Sequence, residues 1–548
     1  MRPILRNGLA AMLLTAALGG CRFDITEYNP SGITAETVFT TPEGFETLVN
    51  AAYSYTRWWY GKEEGYNIAE MGTDLWMSGN GDVHPTLTSY QNLNATQTAL
   101  TSLWEKFYTA INLVNAGVQG IDQSGLTGTR KSTRLAELRF LRAFYYWHLV
   151  ETWGDVHFTL EPTTGIQTEA NKTPAERIYQ AIIEDLTFAV ANLPTTQPDY
   201  GRITKGGAEA FLARVALTRG NNQEALTRAT NVITGYAYRL LPNYADLWRM
   251  DNLKNAEVVW AVNYSTNTAL NDRTNTVLFP NGHPRGGHNG HLMFGQLYDR
   301  EPGMVRDIPN GRPFNRYMPT VFLLDLFDAT ADARFAASFR SVWRANSASR
   351  PAGMAIGDTA VFITKEVIPQ AVQATKIYRI YDRSEVYRAD GSPVTRGQYM
   401  DLAKFLDPTR TTIPEEVSGR DAFVIRLAEM YLIQAEAQLK LGNTAAAAQA
   451  LNVLRTRAAL PGRAAQMQVT PADVTLDFIL DERARELAGE QLRWFDLKRT
   501  GKLVERVRLR NPDAAQFIQP YHVVRPIPQR QLDAVSNKGE FTQNPGYQ

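Results

Sequence analysis

Apolar residues recur at three- and four-residue spacing over much of the chain. Phe45, Leu48, Val49, Ala52 and Tyr53 form one such stripe; Leu135, Leu138, Leu141, Tyr145 and Leu149 another; Ile178, Ile182, Leu186 and Val190 a third. That period places each set on one face of an α-helix, so the protein is predicted to be mainly α. Three Thr-Pro pairs, Thr41-Pro42, Thr173-Pro174 and Thr470-Pro471, predict helix starts. A Thr hydroxyl accepts from a free backbone N–H, and proline at the first helical position gives up a donor that had no partner. Glu176 and Asp473 stand where a capping box puts its acid.

Two stretches repeat one another: "GAEAFLARVALTRGNNQEALTRATNVI" and "AEMYLIQAEAQLKLGNTAAAAQALNVL". Ala213 aligns with Ala435, Leu217 with Leu439, Gly220 with Gly442, Asn221 with Asn443 and Ala225 with Ala447. Small residues let two helices approach closely, and Gly-Asn suits the tight turn between them, so both stretches read as helix hairpins of tetratricopeptide type. From about 235 to 420 the texture changes to Gly, Pro, Asn, Arg and aromatics. An irregular segment this long on a helical scaffold predicts a binding surface. Within it, "ATKIYRIYDRSEVYRADG" predicts a few short strands.

Composition narrows the function. With 44% hydrophobic and 21% charged residues in 548, the chain is that of a folded globular protein with a sizeable core. A net charge of +1 without a Lys/Arg block offers no footprint for nucleic acid. The single cysteine, Cys21, excludes internal disulfides and cysteine-based metal centres. It follows Arg2, Arg6 and an apolar run, Gly8 to Leu18, that is too short to span a bilayer. This arrangement, ending in "LGGC", resembles a bacterial lipoprotein signal: residues 1–20 would be removed and Cys21 lipidated as the first residue of a mature chain 21–548.

"RFLRAFYYWHLVETWGDV" (Arg139 to Val156) resembles the most recognisable segment of the SusD/RagB family of outer-membrane nutrient-binding lipoproteins. Four further segments do so in order: "GRITKGGAEAFLARVAL", "IRLAEMYLIQAEAQLKLGN", "DERARELAGEQLRWFDLKRTG", and "RPIPQRQLD" with "QNPGY" at the end. The resemblance implies a SusD-like fold of about four tetratricopeptide-like helix pairs plus an irregular, loop-rich ligand-binding half. It implies a lipid-anchored, surface-facing protein that captures oligosaccharide or peptide for a SusC-like TonB-dependent transporter and is not an enzyme. The residues after Cys21, Arg22-Phe-Asp-Ile-Thr-Glu, lack the strongly acidic export tag of the best-known members. A lipoprotein scaffold for protein assembly and a polysaccharide-active enzyme stand as alternatives.

Sugar binding uses flat aromatic surface together with amides and carboxylates. Two regions carry both: Trp58, Trp59, Trp76, Asn80 and Asp82 in the first, and Tyr298, Asp299, Arg312, Arg316 and Tyr317 in the second. They match the family's ligand face by position, not residue by residue. Glu482 and Glu486, four apart beside Arg483, Arg485 and Arg493, read as helix ion pairing, because a glycosidase sets its two carboxyls on opposite sides of the sugar. "ELAGEQLRWFDLKRTG", Glu486 to Gly501, accordingly reads as core. His283, His288 and His291 lack the spacing of a metal site, and no P-loop or G-x-S-x-G is present, so neither metal nor cofactor is expected.

Overall fold

A computed structural model describes residues 39–265, 267 and 287–547. Cys21, the apolar run before it and His283 lie outside the described residues. Four helix pairs stack in chain order. The first is α1 (Pro42–Ser54) against α3 (Thr98–Gly120), with the short α2 (Glu63–Ala69) and strand β1 (Trp76–Ser78) between them in sequence. The second is α4 (Gly128–Trp153) with α5 (Ala175–Asn192), and the third α6 (Lys205–Thr218) with α7 (Asn222–Gly235). The fourth, α8 (Leu427–Lys440) with α9 (Thr444–Ala458), packs directly on α7.

The aligned positions of the internal repeat are structurally equivalent. Ala213, Ala435, Ala225 and Ala447 are all fully buried at the helix contacts. Gly220 and Gly442 adopt φ +73° and +85°, a left-handed conformation that glycine takes without steric cost. Each hairpin turn closes with the same bond: Asn221 N donates to Ala216 O at 2.9 Å, and Asn443 N to Gln438 O at 2.8 Å.

Of the predicted helix starts, one holds as written. Thr41 Oγ1 accepts from Gly44 N at 3.2 Å, with Pro42 opening α1. Thr173 does not cap α5: that helix begins at Ala175, whose N–H donates to Asp155 Oδ1 at 2.8 Å. Thr470 and Asp473 form a capping box on a single 3₁₀ turn, and α10 (Leu476–Leu487) starts later under Thr475. In both cases another side chain, Asp155 or Thr475, accepts from the first turn of the helix.

The chain leaves the stack after α7 and rejoins it at α8. The two ends of this excursion are tied by strands β2 (Val258–Val262) and β9 (Ala422–Arg426), which pair antiparallel. Within it, β3 (Tyr317–Pro319) pairs with β1, Trp76 opposite Pro319 and Ser78 opposite Tyr317. The stretch 374–391 supplies one of the few strands expected of it, β7 (Arg379–Tyr381), and then turns helical at Arg383–Val386 under Asp382; β7 completes a small sheet with β5 (Val342–Arg344) and β6 (Thr359–Ile363), beside a minimal pair, β4 (Phe339–Arg340) with β8 (Asp401–Leu402). The irregular half therefore has its own apolar core, separate from that of the helical stack.

Between the two cores lies a buried ionic junction. Arg426 at the end of β9 uses all five N–H groups: Nε to Glu490 Oε2 (2.7 Å), Nη1 to Glu257 Oε1 (2.9 Å) and Glu486 Oε1 (2.7 Å), Nη2 to Glu486 O (2.6 Å) and Glu490 Oε1 (3.0 Å). Arg334, from the irregular half, bonds Glu482 (2.8 Å), Glu486 (2.9 Å) and Asp332. Asp74 receives Arg493 and Arg506 on α11 (Arg493–Arg499) and α12 (Leu503–Arg510). The carboxylates of Glu482 and Glu486 have no solvent access, so they tie elements together and are closed to a substrate.

Candidate functional site

The β1–β3 pair brings together the two regions that the sequence marks for ligand binding. At their open end the 79–82 turn lies against the backbone of 314–316. Gly79 N donates to Arg316 O (2.7 Å), Gly81 N to Asn315 O (2.9 Å) and Asn80 N to Asn315 Oδ1 (2.8 Å). A β-carbon on Gly79 would sit 2.2 Å from Asn315 O, and one on Gly81 would sit 2.1 Å from Phe314 O, so this approach needs both glycines. Asp82 holds the turn from within, accepting from Ser78 Oγ (2.7 Å), Thr88 Oγ1 (2.7 Å) and His84 N (2.8 Å).

The result is a polar platform. Asn80 is exposed, and among the described residues no hydrogen bond holds its side-chain amide. Arg316 pairs with Glu63 (2.8 Å) and reaches Gly81 O, and Arg312 pairs with Glu416 (2.6 Å). The two guanidiniums lie 5.1 and 5.2 Å from the centroid of the half-buried Phe314 ring. Burial pushes the Glu63 carboxyl up to about 7 against the pull of Arg316. Asp299, also half-buried, is occupied by Arg306 (2.5 Å).

The aromatic members are placed differently from expectation. Trp58, Trp59, Trp76, Tyr298 and Tyr317 are at most 2% exposed. Trp59 stacks among Phe107, His148 and Phe495, and Lys106 lies over Trp58. Trp76 packs edge-on against Phe294 (4.8 Å) and donates its indole N–H to Glu70 Oε2 (3.0 Å). Tyr317 also meets Phe294, and Tyr298 donates to Gly311 O. These five rings fill the cores and offer no face to a sugar, because large flat side chains contribute most when fully enclosed. His288 and His291 are buried as well, and burial holds the His291 imidazole down at about 3.

A second feature had no local signal in the sequence: a cleft of about 410 Å³ between α1, the 199–202 turn and the end of β2. Its volume falls within the roughly 300–1,000 Å³ of small-ligand sites. Tyr53 and Tyr200 form flat walls, and Arg57, Asp199, Arg202 and Asn263 supply polar groups. Arg57 Nε donates to Asn263 O at 3.0 Å, across 206 residues of chain. The cleft and the platform are linked through contacts: the Arg57 and Lys62 cations lie 5.4 and 5.9 Å from the Tyr264 ring, and Glu63, next in sequence, pairs with Arg316.

Comparison with known proteins places these features in context. Residues 256–547 match the model of the SusD family, and residues 46–217 match a second model described as starch-binding associating with outer membrane. A SusD-like protein P2 from Formosa agariphila is 26% identical, covering 98% of each chain. The starch-binding protein SusD of Bacteroides thetaiotaomicron is 25% identical over 78% of this chain and 75% of its own. Among solved structures, a laminarin-binding SusD-like protein superposes with TM-score 0.69 at 26% identity, covering 92% of this chain and 98% of that one. Surface glycan-binding protein A from Bacteroides thetaiotaomicron, in complex with laminarihexaose, shares the fold at TM-score 0.68 and 20% identity, covering 92% and 99%.

Proposed function

Because the chain belongs to the SusD family, we propose that it is a glycan-binding protein of the outer membrane, without catalytic activity, that holds an oligosaccharide on the platform formed by residues 79–82 and 312–316. The observation that carries this reading is the near-complete superposition on a laminarin-binding relative at 26% identity. The platform adds a chemical reason, since it combines the free Asn80 amide, two guanidiniums and the Phe314 ring at a junction fixed by β1 and β3. Anchoring is assigned to a lipid on Cys21, which holds the bound glycan near the membrane. Several acyl chains give firm attachment, each buried methylene contributing about 0.8 kcal/mol. Delivery goes to a SusC-like TonB-dependent barrel, where tethering raises the local concentration of captured substrate.

The test is a saccharide and peptide array read with the purified full chain, followed by titration of the best ligand. Asn80→Ala combined with Arg316→Ala should weaken binding by about tenfold or more while leaving the helical circular dichroism signal unchanged, as expected for loss of two hydrogen-bonding groups in a partly enclosed site. The recovered oligosaccharide should be chemically intact. Absence of binding to every class would favour a scaffold role, and steady turnover would favour an enzyme.

A further inference from the structure

In the cleft beside β2, one of the two arginines is neutralised and the other is not. Arg202 is saturated: Nη1 bonds Glu137 (2.7 Å), Nε bonds Asp199 (3.1 Å) and Nη2 bonds Asn50 Oδ1 (2.6 Å). Among the described residues Arg57 uses only Nε, on the carbonyl of Asn263, and no carboxylate lies within ion-pair distance of it. Its two Nη groups remain as a planar fork. Asp421 feels the Arg57 charge without forming an ion pair with it; its carboxylate accepts instead from Tyr264 N at 2.9 Å.

Two further groups point to the same ligand chemistry. Asn263 donates from Nδ2 to Tyr200 O (2.7 Å), but its Oδ1 is buried without a donor among the described residues. The Tyr200 ring, half-buried on the wall, carries the exposed Lys254 ammonium 5.2 Å from its centroid, also without a carboxylate partner among the described residues. A free guanidinium fork, an unmet hydroxyl acceptor, flat tyrosines and a second cation at the rim together describe a receptor for an anionic, polyhydroxylated ring.

We propose that this cleft binds one acidic sugar unit, its carboxylate or sulfate received by Arg57, a hydroxyl donating to Asn263 Oδ1, and its ring lying against Tyr53 and Tyr200. The proposal rests on the glycan-binding reading and makes that reading specific, in that the preferred polymer carries anionic residues. A neutral glucan would leave Arg57 desolvated and unpaired.

The test compares three probes on the full chain purified in detergent: an oligogalacturonate, its methyl ester, and a sulfated galactan oligosaccharide. An anionic probe is expected to bind about tenfold or more tightly than the ester, with a preference that weakens at high salt. Arg57→Gln should abolish the preference. Ser54→Trp, which fills the cleft from α1 without altering its charge, should do the same and decides the matter if Arg57→Gln does not fold. Preference for the sulfated probe alone assigns the anion as sulfate, and preference for the oligogalacturonate alone assigns it as carboxylate. Equal binding of all three probes would overturn the proposal while leaving glycan binding in place. A preference that survives both variants would overturn it by placing the anion elsewhere. No binding to any saccharide would remove both readings.

Discussion

Arg426→Ala should destabilise the protein by about 3–5 kcal/mol, because it takes one cation from each of Glu257, Glu486 and Glu490 in a buried junction. The side chain satisfies five acceptor contacts and fastens β9, β2 and the end of α10 together, so its loss removes the joint between the two cores rather than a surface tie. Arg426→Lys should recover only part of the loss, since an ammonium cannot reproduce the planar fork. Denaturant unfolding measures both; a loss under about 1 kcal/mol for the alanine variant would show that Lys404, Arg334 and Arg457 suffice without Arg426.

The pH dependence of the same junction follows from its charges. Burial pushes the Glu486 carboxyl up, but Arg457, Arg426 and Arg334 outweigh it and hold the carboxyl well below the usual carboxylate range. Glu482, paired with Arg334, Arg485 and Arg455, is held down in the same way. A depressed carboxylate contributes stability above its unfolded pKa and loses that contribution as pH falls through the folded value. Wild type should therefore lose stability progressively below about pH 4.5, with a shallower slope in Arg426→Ala, where Glu486 has lost one of its three cations.

Trp76→Ala should cost about 3–5 kcal/mol of stability and leave ligand affinity per folded molecule unchanged. The indole is fully enclosed against Phe294, and its N–H donates to the buried Glu70 carboxyl, which also accepts from Leu492 N at 3.2 Å. Removing it leaves a cavity in the core of the irregular half and takes a hydrogen bond from Glu70. The comparison is thermal unfolding set beside titration with the array-selected glycan. Intact melting with lost binding would return Trp76 to the ligand face.

What the sequence made legible follows the range over which each signal acts. The helix hairpins are written in residues one turn apart, so Gly220-Asn221 and Gly442-Asn443 identified their turns correctly. The two candidate regions were marked by aromatics combined with amides, carboxylates and arginines, and β1–β3 pairing brings them together. The direction of their aromatics was not legible. A three-residue strand such as Trp76–Ser78 has no alternation to read, and which face is inward depends on Phe294 and Tyr317, more than two hundred positions away. The cleft was missed for the same reason: Arg57, Tyr200 and Asn263 each look ordinary in their own segments and meet only through the fold. Nothing in the apolar run of β2 ahead of Asn263 indicates an unmet amide oxygen.

The β2–β9 tie has a consequence for how freely the irregular half can change. Because the excursion leaves and returns through adjacent antiparallel strands and is tied back by β3 on β1 and by Arg334 on Glu482 and Glu486, its exposed loops can change without opening those ties. Closure entropy grows with the logarithm of loop length, so doubling a surface loop inside the excursion adds only about 0.6 kcal/mol. The architecture behaves as a socket with fixed prongs: exposed segments of the irregular half can be lengthened, shortened or exchanged at little thermodynamic cost, provided that Arg426 and its carboxylates keep the prongs together.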